Sequence, residues 1–168
     1  MNNSEIQNLK TAHRLLLKKQ IKDLSSSDRE VHSRRLNENL KQRLRTSSGK
    51  WGGFNALPSE PSIQWLELNS DIRWYFVETS EQGLTFRNET EVVEAQALDG
   101  ICIPALGFNL NGARLGRGGG FYDRELQNYD GIKIGLSYDF AVSADTPFEA
   151  HDIKVDVIVT DRRIVDAA

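Results

Sequence analysis

The rest of this chain has to accommodate one run, Ile103 to Arg124, reading IPALGFNLNGARLGRGGGFYDR. The apolar residues from Gly100 to Phe108 read as a buried strand, and Asn111-Gly112 marks a turn. The chain then passes through Arg114-Leu-Gly-Arg-Gly-Gly-Gly120 into Phe121-Tyr-Asp-Arg-Glu-Leu126, which predicts a helix to about Tyr129. Gly116, Gly118, Gly119 and Gly120 strip the Cβ atoms from a loop between strand and helix. Such a loop can aim several backbone N–H groups at one point and cradle an anion. A helix N-terminus adds partial positive charge, and Arg114 and Arg117 add whole ones. The plain alternative is a glycine-rich surface turn. The flanking arginines and the abrupt helix start favour a phosphate cradle.

Neither common nucleotide fingerprint is present. There is no G-x-x-x-x-G-K-[ST], and Gly116-Arg-Gly118-Gly-Gly-Phe121 lacks the final glycine of G-x-G-x-x-G. With 168 residues the chain is expected to form one domain over 1–168. A net charge of −3 and a pI near 5.7 argue against broad binding to nucleic acid or to an anionic membrane. The lone Cys102 lies in an apolar strand pattern and reads as a small core residue in a reducing compartment. No apolar run reaches the length of a membrane span, and MNNSEIQN has no signal-peptide core, so a cytoplasmic protein is expected.

Two helices lead the chain. Ile6, Leu9, Leu16, Leu17, Ile21 and Leu24 recur at helical spacing over about Ser4 to Leu24, with Lys10, Arg14, Lys18, Lys19 and Lys22 on the remaining surface. Lys10 and Arg14 are i,i+4 neighbours able to reach one polyphosphate. Ser27-Asp-Arg-Glu30 has the form of a capping box for a second helix, about Asp28 to Arg45, with Val31, Leu36, Leu40 and Leu44 inward. His13 reads as a packing residue, and His32 has no companion at metal spacing.

Strands are predicted at Lys50 to Leu57, Ile72 to Glu78, Gly83 to Arg87, Ile132 to Asp139 and Val155 to Thr160. Pro61 suits the start of a short helix through Leu68, and Glu89 to Ala97 reads as a loop with one helical turn. After Thr160 a short polar tail is expected. The alternation predicts an α/β fold: a three-layer, Rossmann-like domain with a largely parallel sheet flanked by helices, two of them N-terminal. Ligands in such sheets sit beyond the carboxyl ends of the strands.

The R-L-G-x-G-x-G-[FY]-Y-D-R pattern after an apolar P-x-L-x-F strand resembles the 5-formyltetrahydrofolate cyclo-ligase family, also called methenyltetrahydrofolate synthetases. The likeness extends to Lys10 and Arg14 as the K-x-x-x-R of an ATP-contacting helix, and to Asn55-Ala-Leu-Pro-Ser-Glu60 as a folate-binding turn. It includes His151-Asp-Ile-Lys-Val-Asp156-Val-Ile-Val-Thr160 near the C-terminus. The resemblance implies ATP binding by Lys10, Arg14 and the stretch Arg114, Leu115, Gly116, Arg117, Gly118, Gly119, Gly120, Phe121 and Tyr122. It implies folate binding by Asn55, Glu60, Arg117, Gly118, Gly119, Gly120 and Phe121, and Mg²⁺ at Asp123 and Asp156. Arg117 would stabilise the transferring phosphoryl group, with Tyr122 at the junction of the two substrates. Three departures stand out: Ser62 and Asn109 replace common aspartates, and no G-I-x-E-P segment lies between Phe86 and Gly100.

The implied enzyme is an ATP- and Mg²⁺-dependent carbon–nitrogen ligase of one-carbon metabolism. It closes 5-formyltetrahydrofolate to 5,10-methenyltetrahydrofolate through a phosphorylated formyl group, releasing ADP and phosphate. Its partners would be the reduced folate and ATP, with no nucleic acid or membrane, and the protein would be a monomer. Local readings stand beside these roles. Glu60 and Asp123 can each simply stabilise a helix start, Asp156 can pair with Arg162 or Arg163, and His151 can be structural. Two other functions fit less of the sequence: an inactive relative that binds folate or nucleotide, and an RNA-associated module suggested by Arg117-Gly-Gly-Gly-Phe121.

Overall fold

A computed structural model describes residues 1–167. The elements in order are α1 (Asn3–Lys22), α2 (Ser26–Leu44), β1 (Gly49–Gly53), α3 (Trp65–Leu68), β2 (Ile72–Ser80), β3 (Gly83–Arg87) and β4 (Val92–Val93). A 3₁₀ turn at Ala95–Ala97 leads to β5 (Gly100–Pro104), β6 (Gly107–Asn109), β7 (Arg114–Leu115), α4 (Phe121–Glu125) and β8 (Ile132–Leu136). A second 3₁₀ turn, Asp139–Ala141, precedes β9 (Val142–Ser143), β10 (Val157–Val159) and β11 (Ile164–Asp166).

The main sheet runs β11-β10-β8-β5-β1-β2-β3-β4. Its five central strands are parallel, and β11, β3 and β4 pair antiparallel at the edges. The α/β class with a mostly parallel sheet is therefore present. Side-chain alternation along β5 divides the core: Ile101 and Ile103 face one way and Cys102 the other. On the Cys102 side, α2 lays down Leu36, Leu40 and Leu44, all fully buried, with Trp51, Trp65 and Trp74. Truncating any of these leucines to alanine typically costs about 2–5 kcal/mol. The opposite face is covered by α4 and by a second sheet, β7-β6-β9. Leu17 and Ile21 of α1 close a third cluster with Leu106, Leu115 and Tyr138.

Several local expectations need correction. Gly100 to Phe108 is two strands, because the chain leaves the main sheet at Ala105-Leu106 and joins the small one. The cap of α2 is Ser25, whose hydroxyl accepts from the Asp28 N–H; the capping box lies at α1, between Asn2 and Glu5. The helix after the glycine loop has only five residues, and the expected polar tail contains the edge strand β11. Leu9 and Leu16, read as inward, are exposed on α1. No helix among the described residues is long and apolar enough to cross a membrane.

Candidate active site

The glycine loop lies between α1 and the turn that follows β1. Arg14 donates from Nε to the Gly116 carbonyl at 2.8 Å, fixing the first residue of the loop to the helix. On the other side Arg117 donates from Nη2 to the Ser59 hydroxyl at 2.7 Å and stands 3.6 Å from Glu60 Oε1. Glu60 is in turn held by the Leu57 N–H at 2.9 Å. Among the described residues, the N–H groups of Arg117, Gly118, Gly119 and Gly120 donate to no protein acceptor. A backbone with φ of +113° at Gly118, in open space, is accessible to glycine and strained for other residues. The loop therefore offers free donors and positive charge to an anion. Since α4 is so short, its dipole adds little, and the anion-binding character rests on the amides and arginines.

Arg114 and Tyr122 face inward. The Arg114 guanidinium is buried, donates to the Pro104 carbonyl at 2.8 Å, lies 3.6 Å from Asp123 and sits 4.9 Å from the centre of the Tyr122 ring. Burial draws its pKa down, opposed chiefly by Asp123. Burial also holds the Tyr122 phenol well above its ordinary range, so it keeps its proton. In this arrangement both residues brace the loop from beneath. The Leu115 side chain is likewise in the core, and its carbonyl accepts the Leu106 N–H. Phe121 is exposed, with the Arg124 guanidinium over its ring.

The acidic side of the site is built differently from the sequence expectation. Lys10 is buried, its Nζ 2.6 Å from both Glu149 Oε2 and Asp152 Oδ2. Gln7 adds a hydrogen bond to the same Glu149 oxygen at 2.7 Å. Asp123 accepts the N–H of Ile153, the residue after Asp152, at 3.0 Å, and both aspartates act on Arg114. Asp156 stands apart: it accepts the Lys133 N–H at 2.8 Å beside the first residues of β8, at the amino ends of the parallel strands. Its ionic partner is Lys133 at 3.8 Å, not Arg162 or Arg163. The structure thus brings Asp123 together with Asp152 and not with Asp156. The signal was in the sequence, in the His151-Asp152 dipeptide, but strand direction was needed to choose between the two aspartates.

Asn55 and Glu60 line different clefts beyond the carboxyl end of β1. Glu60 and Tyr138 belong to one of about 810 Å³ beside α2. Asn55, Trp74 and Phe76 belong to one of about 1210 Å³ over β2 and β3, and Gln64 and Glu67 border both. The buried indole N–H of Trp74 has no partner among the described residues. Two of the three sequence departures, Asn109 and Ser62, have structural accounts. Asn109 is buried, and its amide donates to the Ala144 and Thr146 carbonyls, which an aspartate does not do when ionised. Ser62 engages through its backbone, the N–H to Ser33 Oγ and the carbonyl to Asn37 Nδ2. His32, given no role from sequence, pairs through Nδ1 with the buried Asp161 at 2.8 Å. His13 lies 3.5 Å from the Thr146 hydroxyl, and His151 is exposed.

Residues 43–161 match the 5-formyltetrahydrofolate cyclo-ligase family, and the chain belongs to that family. It is 36% identical to the 5-formyltetrahydrofolate cyclo-ligase of Escherichia coli K12 over 77 residues, covering 44% of this chain and 42% of that one. Against the Mycoplasma pneumoniae enzyme of the same name it is 37% identical over 102 residues, 59% and 62% of the two chains. These alignments span less than two thirds of the relatives' length. A solved 5,10-methenyltetrahydrofolate synthetase from Mycoplasma pneumoniae superposes with a TM-score of 0.81 at 25% identity, covering 90% of this chain and 98% of that one. The Aquifex aeolicus 5,10-methenyltetrahydrofolate synthetase gives 0.77 at 25% identity, with 95% and 93% covered.

Proposed function

We propose that this member of the family is an ATP-dependent ligase that closes 5-formyltetrahydrofolate to 5,10-methenyltetrahydrofolate, releasing ADP and phosphate. The observation that carries the reading is the position of Arg117. It belongs to the loop with free amides and reaches Ser59 and Glu60 of the turn after β1, so one guanidinium touches both halves of the site. The amides of Arg117 to Gly120 and the Arg14 charge hold the triphosphate. Glu60 takes hydrogen bonds from the pterin ring.

The chemistry asks chiefly for positioning and charge neutralisation. The formyl oxygen attacks the γ-phosphorus and the bond to ADP breaks. N10 then attacks the activated carbon, the C–O bond breaks to release phosphate, and the N10 proton passes to solvent. Arg117 neutralises charge on the transferring phosphoryl group. Asp123 and Asp152, carboxylates on adjoining segments, fit a magnesium–nucleotide, since Mg²⁺ takes one or two protein carboxylates plus phosphate and water. When bound, the ion would supply charge neutralisation at the phosphates. Lys10, now between Glu149 and Asp152, lies within the same group. We further propose that the chain acts as a monomeric domain in the cytoplasm.

The test is absorbance of the methenyl chromophore with 5-formyltetrahydrofolate, ATP and Mg²⁺. Signal that requires all three supports the reading. Folate binding without turnover would make the protein a folate-binding relative instead.

A further inference from the structure

The turn that carries Glu60 has few attachments to the rest of the chain. Asn55 to Pro58 are exposed. Within the turn the Glu60 N–H donates to the Leu57 carbonyl and the Leu57 N–H to the Glu60 carboxylate, both at 2.9 Å, so these residues close on themselves. Among the described residues, two side chains from other elements hydrogen-bond to residues 55–60. One is Arg117, through the Ser59 hydroxyl. The other is Arg29, early in α2, whose Nη1 donates to the Pro58 carbonyl at 2.6 Å. The same guanidinium donates from Nη2 to the Ile21 carbonyl of α1 at 2.7 Å and from Nε to the Leu24 carbonyl at 3.5 Å. These bonds complete a circuit that starts and ends on α1. Arg14 holds Gly116, Arg117 of the same loop holds Ser59, and Pro58 is held by Arg29, which returns to Ile21.

We infer that Arg29 is a positioning residue for the folate half of the site: it fixes the Glu60 turn to α1 independently of Arg117. The inference rests on the proposed cyclo-ligase reading. In that reaction Arg117 turns to the transferring phosphoryl group, and the phosphate oxygens compete with Ser59 and Glu60 for its donors. The Arg29 contacts are all to backbone carbonyls away from the glycine loop, so they persist while Arg117 is engaged. Glu60 then keeps its place against the ring it holds. The residue type matters as well as the charge. A planar guanidinium presents several donors in a fixed fork and can bind carbonyls from three segments at once. A lysine there retains a positive charge near the carbonyl end of α1 but has no such fork.

The experiment is a double-mutant cycle on the intact chain: Arg29→Lys and Glu60→Gln, singly and together, with Arg29→Ala as a second probe. The readouts are kcat/KM for 5-formyltetrahydrofolate, KM for ATP and the urea midpoint. Arg29→Lys is expected to lower the folate kcat/KM about tenfold, mainly through KM, while KM for ATP stays within about twofold and the midpoint hardly moves. Arg29→Ala should show a larger folate effect and a lower midpoint. In the Glu60→Gln background, Arg29→Lys should cost less than about twofold, because the group it positions is already impaired. Effects that multiply in full overturn the inference, since Arg29 would then act apart from Glu60. So does a rise of both KM values together, or a fall in kcat that follows the midpoint with both KM values unchanged, which is a structural role alone. If the chain binds 5-formyltetrahydrofolate without turning it over, calorimetric Kd values for the same proteins replace the kinetics. The same non-additive loss would then uphold the positioning role while the ligase reading falls, and an unaltered Kd in Arg29→Lys would overturn it.

Discussion

The Asp123 carboxylate accepts the backbone N–H of Ile153 at 3.0 Å, which ties α4 to the residue that follows Asp152. Both aspartates lie on the side of the loop facing Lys10 and Arg114, and Asp156 is held at the other end of the parallel strands by Lys133. Asp123→Asn and Asp152→Asn are therefore expected to lower methenyl formation by about a hundredfold or more, with a higher Mg²⁺ requirement where activity remains. Asp156→Asn is expected to leave the Mg²⁺ dependence as it is. A Mg²⁺ titration of the three proteins checks this, and a loss confined to Asp156→Asn would reverse the assignment.

Arg117 has a side chain about one third exposed and bonds to one hydroxyl, so its contribution to folding is small. Its contribution to the reaction is expected to be large, because it is the cation that touches both halves of the site. Arg117→Ala should lower kcat by about 10²–10³-fold while shifting the unfolding free energy by less than about 1 kcal/mol. Rapid kinetics and urea denaturation on the same preparation separate the two effects. Full turnover in that variant would remove the central feature of the mechanism.

What could be read in the sequence follows from how local the physics was. The glycine loop was legible because unpartnered amides need glycine backbones, and α1 and α2 because their apolar spacing is helical. The break at Ala105-Leu106 was not, since both strands are buried and a continuous apolar run looks the same whether it stays in one sheet or changes sheets. The outward turn of Leu9 and Leu16 was hidden for a related reason: α1 packs on the rest of the chain along a narrow seam at Leu17 and Ile21. Arg114 illustrates the harder case. Its position beside the loop suggested a ligand contact, and only packing reveals that Pro104, Tyr122 and Asp123 already occupy it.

Asn109 provides a test of a substitution within the family pattern. Its amide is fully used, donating to Ala144 and Thr146 and accepting from the Asn111 N–H. Asn109→Asp retains the acceptor and loses both donors, setting a carboxylate against two carbonyls, that of Thr146 buried. A cost of about 3 kcal/mol is expected near neutral pH, lessening as the pH falls and the acid regains a proton. Urea midpoints at pH 5 and pH 8 measure it. A neutral effect would show that this chain tolerates an aspartate at that position.

Alkaline pH should unfold the protein for a reason visible in its core. Burial pushes the Cys102 thiol and the Tyr122 and Tyr129 phenols well above their ordinary ranges. The unfolded chain releases these protons first, near pH 8.5 for a thiol and near 10 for a phenol, while the folded chain retains them. The unfolded state then binds fewer protons than the native one, so stability falls as pH rises; the contribution is fully present below about pH 8.5. Each group adds a slope of about 1.4 kcal/mol per pH unit, and the three together about 4 above pH 10. Urea midpoints at pH 8, 9.5 and 10.5 should fall in two stages, shallow and then steep. Cys102→Ala should lower stability throughout by opening a small cavity, yet flatten the first stage, because the group that titrates there is gone. A first stage unchanged in that variant would assign the early loss to some other group.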